Sequence, residues 1–252
     1  REQVDIARVS KADRMFILSK DFNFKQSNSQ SWLEEKDYVY DAKFNIEDLR
    51  GKAVIGAVDL SETTDLTCAK IMAVDGDTNT KYVHTMYFIP EGKLENADDK
   101  TAGAKYREWA EQGILTILPG LDNDLTKVAD WFYELYKLYD IRTIKCGYDQ
   151  RFARDFLERM EYIGIECEMV VQNKENMKLC EQELKARYVN YNENEIDQWC
   201  LGNASMEIDN LGRVLCVKIN NQAQRRIDGA VTLIILYEMY RRYRGQITQY
   251  NK

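Results

Sequence analysis

The sequence predicts an α/β fold, a mixed sheet flanked by helices, and two features of its patterning lead there. Residues 53–89 hold three strand-like runs joined by short turns, which makes an antiparallel meander. After residue 100 helical and strand-like stretches alternate, as they do where helices cover a sheet.

The 252 residues, 44% hydrophobic and 31% charged, suffice for a proper core in one large domain or two small ones. Pro90 and Pro119 are the only prolines, which excludes long proline-rich linkers. No stretch reaches the roughly 18 apolar residues of a membrane span, and the start does not resemble a signal peptide, so no membrane partner is expected. The chain begins with Arg1 rather than Met, which reads as a piece of something longer.

Residues 1–45 are polar and mixed, with Phe16, Ile17, Leu18, Phe22, Phe24 and Trp32 as intermittent anchors, and are expected to be a linker or docking segment ahead of a domain over 46–252. A turn at 45–51 precedes the first strand, 53–60. The turn 61–65 leads to a second at 66–74, and Asp75-Gly76-Asp77 to a third, the alternating run 81–89. A charged loop runs to about residue 100. A short helix carrying Tyr106 and Trp109 ends near Gly113, and 114–118 is a small strand closed by Pro119-Gly120.

Asp124 is a helix N-cap, because Leu125, Val128, Ala129, Phe132, Leu135 and Tyr136 then recur at helical spacing. The strand 141–148 ends at Asp149, just before a helix with Phe152, Phe156, Leu157 and Met160 on one face. A strand at 165–171 and a helix at 175–188 follow. Residues 191–197 read as a polar loop. Two short runs flank Asn210-Leu211-Gly212 as a hairpin, and the last helix spans about 228–243.

Six scattered cysteines without a C-x-x-C pair read as buried thiols of a reducing compartment. The single histidine, His84, leaves no Ser-His-Asp, Cys-His or zinc constellation, so any chemistry falls to carboxylates. The formal net charge of -7 argues weakly against a general nucleic-acid coat. From Arg213 to Arg244, however, seven basic residues stand against two acidic ones, which reads either as a basic surface or as a solvated helix face.

The apolar run 54–58 is that of a strand buried on both faces, and it runs straight into Asp59. An ionised carboxylate there is costly unless paired; a divalent cation shared with carboxylates from other segments is one partner that offsets the cost. Asp149, at the end of a later strand, stands where ligands gather in open α/β sheets. Asp228 opens the last helix, whose N-terminal partial charge favours a carboxylate by roughly 0.3–1 kcal/mol. Three clustered carboxylates repel one another by more than that, so a metal belongs to the hypothesis. All-oxygen ligation selects Mg²⁺ or Mn²⁺, and two such ions about 3.5–4 Å apart can activate a water and stabilise the leaving oxygen of a phosphodiester. Taken alone, each aspartate is more often a cap or turn residue.

Asn45-Ile-Glu-Asp-Leu-Arg-Gly51 and Gly56-Ala-Val-Asp-Leu-Ser-Glu-Thr-Thr-Asp-Leu-Thr67 resemble the opening of the nuclease domain in the large subunit of tailed-phage terminases. Tyr87-Phe-Ile-Pro-Glu91, Trp109 with Gly113-Ile-Leu-Thr and Pro119-Gly120, Gly147-Tyr-Asp149 and Arg226-Ile-Asp-Gly-Ala230 follow in that family's order. The resemblance implies an RNase H-like fold and a metal-dependent endonuclease that cuts concatemeric viral DNA during packaging in the host cytoplasm. It puts Asp59, Asp149 and Asp228 on the three acidic metal positions, with Asp59 bridging two ions, and makes Asp65 an auxiliary acid.

Double-stranded DNA is the implied substrate. The packaging ATPase region, small subunit and portal are the implied partners. No G-x-x-x-x-G-K-[ST] occurs, so this chain is not expected to hydrolyse ATP, and residues 1–45 resemble the segment leaving the ATPase. Where many relatives have lysines before the last aspartate, this chain has Gln222 and Gln224; Arg213, Lys218, Arg225 and Arg226 are the candidate DNA contacts. Two other readings stand beside this one: a different RNase H-like enzyme such as a resolvase or integrase, and a non-catalytic docking module of a packaging motor.

Overall fold

The computed structural model describes residue 14 and residues 31–61, 66–149, 153–209, 213–222 and 224–251. Asp65, Phe152, the Asn210-Leu211-Gly212 turn and the anchors from Phe16 to Phe24 lie outside the described residues. Strands β1 (Ala53–Asp59), β2 (Thr67–Val74) and β3 (Lys81–Pro90) form the expected antiparallel meander. β4 (Leu115–Leu118) joins β3 in parallel, while β5 (Arg142–Tyr148) and β6 (Glu166–Met169) extend the other side in parallel from β1. The order is β4-β3-β2-β1-β5-β6, and the short β7 (Val189–Asn190) pairs with the start of β3. A separate hairpin joins β8 (Ala204–Ile208) to β9 (Val214–Lys218).

The helices are α1 (Glu35–Tyr38), α2 (Ala97–Thr101), α3 (Tyr106–Glu111), α4 (Leu125–Tyr139), α5 (Arg154–Tyr162), α6 (Lys174–Lys185), α7 (Glu195–Gly202) and α8 (Asp228–Tyr250). Strand alternation decides which side each covers. Ile55, Ala57, Met72 and Val83 point to the side of α6 and α8, whereas Val54, Val58, Ala69 and Ile71 point to α4 and α5. β2, central and covered on both faces, is buried at every position, so apart from Thr67 and Lys70 it reads as an apolar run. α8 lies close on β5 because residue 147 is glycine; a Cβ there would come within 2.7 Å of Met239.

Local signals explain the boundaries. Asp124 caps α4 by accepting the Thr126 N–H at 3.0 Å, and Asp140 ends that helix in the left-handed conformation at φ 52°. Asn173 and Asn176 exchange side-chain bonds at the start of α6. The largest differences from expectation are three. The stretch read as a polar loop contains the start of α7, capped by Asn194. The charged loop after Pro90 contains α2, capped by Asn96. α8 runs one to two turns further than expected because Ile247 is buried and the Asn251 side chain then bonds the backbone of Ala53 at both its N–H (2.8 Å) and C=O (2.9 Å).

Residues 31–45 pack on the same body: Trp32 is fully buried, and its backbone N–H donates to the Ala204 carbonyl at 2.8 Å. None of the six cysteines forms a disulfide, and all but Cys167 are buried. His84 stacks on Trp131, away from the α8 side, with burial pushing its pKa down to about 4. No helix among the described residues is long and apolar enough to cross a membrane.

Candidate metal centre

Asp59 is the last residue of β1 and Asp149 follows the last residue of β5. The two strands are parallel neighbours with Val58 opposite Tyr148, so the aspartates leave the sheet side by side at its carboxyl end. Asp59 is two residues beyond Ala57, on the α8 side. Asp149 is two beyond Gly147, whose α-carbon faces Ile235 and Met239 of α8, so the same alternation carries it to that side. Burial and, second, the charge of Asp59 raise the pKa of the Cys216 thiol on β9, which puts the hairpin beside Asp59.

Asp228 enters from the helix layer. α8 descends from this end of the sheet, where Gly229 abuts Tyr87 of β3, to the opposite end, where Asn251 holds Ala53. Because Cys68 pairs with both Asp59 and Tyr87, the first turn of α8 begins at the end where β1 finishes. The three aspartates therefore share one face and one end of the sheet. Among the described residues, no group of three His, Cys, Asp or Glu side chains is already gathered for metal binding. Carboxylates of like charge stay apart unless a cation offsets their repulsion.

The Asp228 carboxyl is buried, and its Oδ2 has no hydrogen-bond partner among the described residues. Burial pushes its pKa up to about 6, and the nearby charges of Arg226 and Lys218 only partly oppose that shift. A buried acceptor without a donor is costly and therefore uncommon, and a cation would satisfy it. All three side chains offer oxygen alone, the donor chemistry of a hard divalent ion.

The four candidate DNA-binding cations occupy different settings. Arg213 is half-exposed and bonds Asp209 at 2.7 Å; Arg225 reaches Gln222 at 2.7 Å and Asn203 at 3.1 Å. Lys218 ends β9 close enough for its charge to act on Asp228 and Asp99. Arg226 is buried, and its guanidinium grips Asp99 of α2 through Nε (3.0 Å) and Nη2 (2.7 Å), with the Tyr106 hydroxyl donating to the other Asp99 oxygen at 2.9 Å. Arg226 thus ties α2 to the residues leading into α8.

Sequence reasoning did not find the buried polar group behind Asp228. Lys70 of β2 donates to Asp197 of α7 and to Thr85 of β3, and the hydroxyls of Thr85 and Tyr87 also donate to Asp197. A lysine inside an apolar strand and the acid-rich run Asn194-Glu195-Ile196-Asp197 are the traces they leave in the sequence.

This architecture defines an RNase H-like α/β fold, with Asp59 and Asp149 at the carboxyl ends of two adjacent parallel strands. The model of the terminase large subunit endonuclease domain matches residues 2–243, and the chain belongs to that family. It is 23% identical over 205 residues to protein YmfN of Escherichia coli K12, an alignment covering 77% of this chain and 45% of that protein. The crystal structure of the HK97 bacteriophage large terminase superposes with a TM-score of 0.66 at 22% identity, over 91% of this chain and 48% of that one. A more distant likeness is the large terminase nuclease of thermophilic phage G20c with bound magnesium, with a TM-score of 0.45 at 11% identity, over 79% of this chain and 98% of that one. The chain spans about half the length of YmfN and of the HK97 protein.

Proposed function

We propose that the chain is a metal-dependent endonuclease that cuts double-stranded viral DNA during genome packaging. The observation that carries this reading is the shared face and end of Asp59, Asp149 and Asp228, one of them buried with an unsatisfied oxygen, in a chain of the terminase nuclease family. Mg²⁺ or Mn²⁺ held there, two ions in the full proposal, would supply Lewis acidity and a water of lowered pKa.

The protein's own part is positional. Asp59 and Asp149 are offered by adjacent parallel strands whose separation the sheet fixes, with Asp59 in the central position between Asp149 and the β2 side. Asp228 is presented by the first turn of a 23-residue helix, where the partial positive charge favours the ionised carboxylate. Asp65 is proposed as an auxiliary acid. Arg213, Lys218 and Arg225 are the proposed phosphate contacts, which would make DNA binding salt-sensitive and little dependent on sequence. Arg226 sits behind them and acts through Asp99. The packaging ATPase, small subunit and portal are proposed partners on family membership alone, with the host cytoplasm as the place of action.

The test is cleavage of supercoiled plasmid with Mn²⁺, Mg²⁺ or EDTA, run beside Asp149→Ala. The expected result is cutting that needs metal and falls at least 100-fold in the variant, about the size of a lost electrostatic stabiliser in an active site. Metal-dependent cutting that survives in Asp149→Ala would remove this aspartate from the centre. Parent protein that cuts under no condition would favour the non-catalytic docking module.

A further inference from the structure

The buried polar group behind Asp228 neither contacts DNA nor ligates metal in the reading above. Lys70 is 1% exposed, and its Nζ donates to Thr85 Oγ1 at 2.9 Å and to Asp197 Oδ1. Thr85 in turn donates to Asp197 Oδ2 at 2.9 Å, and the Tyr87 hydroxyl donates to Oδ1. Every side chain that donates to the Asp197 carboxylate of α7 comes from β2 or β3, so the group fixes a helix to two strands.

Such a group is not explained by stability. A buried ion pair loses about as much in desolvation as it gains in attraction, and an apolar replacement is often no less stable; what it can supply is a defined arrangement. Here the arrangement meets α8 at Gly229, next to Asp228. A Cβ at 229 would stand 1.9 Å from Tyr87 Oη and 2.8 Å from Asp197 Oδ1. The first turn of α8 therefore rests directly on the Tyr87–Asp197 pair, at a height set by those two groups. Lys70 cancels the charge of Asp197, so the support adds no net negative charge beside Asp228.

We propose that Asp197, held by Lys70, Thr85 and Tyr87, is a positioning residue that seats the first turn of α8 and so sets where the Asp228 carboxylate stands. The inference rests on the metal-dependent reading. A second buried group gives the control: near the middle of α8, about two and a half turns from Asp228, Lys81 bonds Glu183 at 2.7 Å and the Tyr237 hydroxyl donates to Glu183 at 2.7 Å.

Titration calorimetry of Mn²⁺ into the full chain, paired with thermal melts in EDTA, tests it. Asp228→Ala should lose the binding heat. Asp197→Asn and Tyr87→Phe should weaken Mn²⁺ affinity about tenfold or more, the scale of changes just outside a ligand shell. Tyr237→Phe removes a comparable buried bond and should lower the melting temperature while leaving Mn²⁺ affinity unchanged. Should Asp197→Asn fail to fold, Tyr87→Phe against Tyr237→Phe decides. Unchanged affinity in Tyr87→Phe, or equal weakening in Tyr237→Phe, would overturn the positioning role and leave the metal reading intact. No Mn²⁺ binding by the unaltered chain would overturn the metal reading, and the inference with it.

Discussion

Asp228→Asn is expected to abolish metal-dependent cleavage and, at the same time, to make the metal-free protein more stable at pH 8. Burial raises the Asp228 pKa from 3.8 to about 6, so the folded state binds a proton more tightly than the unfolded chain does. Stability then falls as pH rises from about 4 through 6, and above that range the ionised form carries the full penalty. Two pH units correspond to about 3 kcal/mol. An asparagine amide left without partners in the same place gives back about 1–2 kcal/mol of that gain. A net stabilisation of about 1–2 kcal/mol remains, or a rise of several degrees in melting temperature for a chain of this size.

The gain should be large at pH 8, shrink as pH falls through 6 towards 4, and vanish below about pH 3, where Asp228 is protonated in both the folded and the unfolded state. Melts of both proteins in EDTA across that range measure it directly. A functional residue that costs stability is expected at an active site and unusual in a mere helix cap. A variant that loses stability at pH 8 would mean that the carboxylate has a structural partner.

Gly229→Ala should produce the second large effect, with the sign opposite to helix propensity. Inside a helix, alanine is ordinarily better than glycine by about 1 kcal/mol. Here the new methyl group would sit 1.9 Å from Tyr87 Oη. Either the helix lifts or Tyr87 leaves Asp197, and overpacking of this kind typically costs about 1–3 kcal/mol. Both outcomes displace Asp228, so cleavage should fall far more than stability does.

Adding Tyr87→Phe removes the closest oxygen and leaves Asp197 Oδ1 at 2.8 Å and ring carbon Cζ at 3.0 Å from the new methyl group. The double variant should therefore recover part of the stability lost by Gly229→Ala, although Tyr87→Phe alone is harmful. Coupling of that sign marks direct contact. Chemical denaturation of the four proteins reads it; additive losses would place the clash elsewhere.

The parts of the fold that were legible in the sequence are those set by local pattern. The apolar run before Asp59 reflects a strand between two layers, the alternation in 81–89 and the helical spacing after Asp124 reflect local periodicity, and all three lie where expected. α7 escaped because Asn192 and Glu193 adopt positive φ in a tight turn and Asn194 caps at once, so its entry is entirely polar. Its signal was Asn194 followed by Ile196, Trp199 and Cys200 at helical spacing.

The seat beneath α8 was not legible at all. Lys70 and Asp197 are 127 residues apart, and a lysine within β2 reads only as an interruption of an apolar run. The same distance separates Arg226 from Asp99, so Arg226 could be counted as a surface cation on charge while its guanidinium lies inside the protein. Long-range pairing of buried charges leaves no periodic trace, whereas acids at strand ends do.

The most direct test of the three-aspartate centre is a crystal of this chain soaked in Mn²⁺ and measured for anomalous scattering. The result expected is one or two peaks bounded by Asp59, Asp149 and Asp228. Mn²⁺ bound elsewhere, with these carboxylates untouched, would contradict the account.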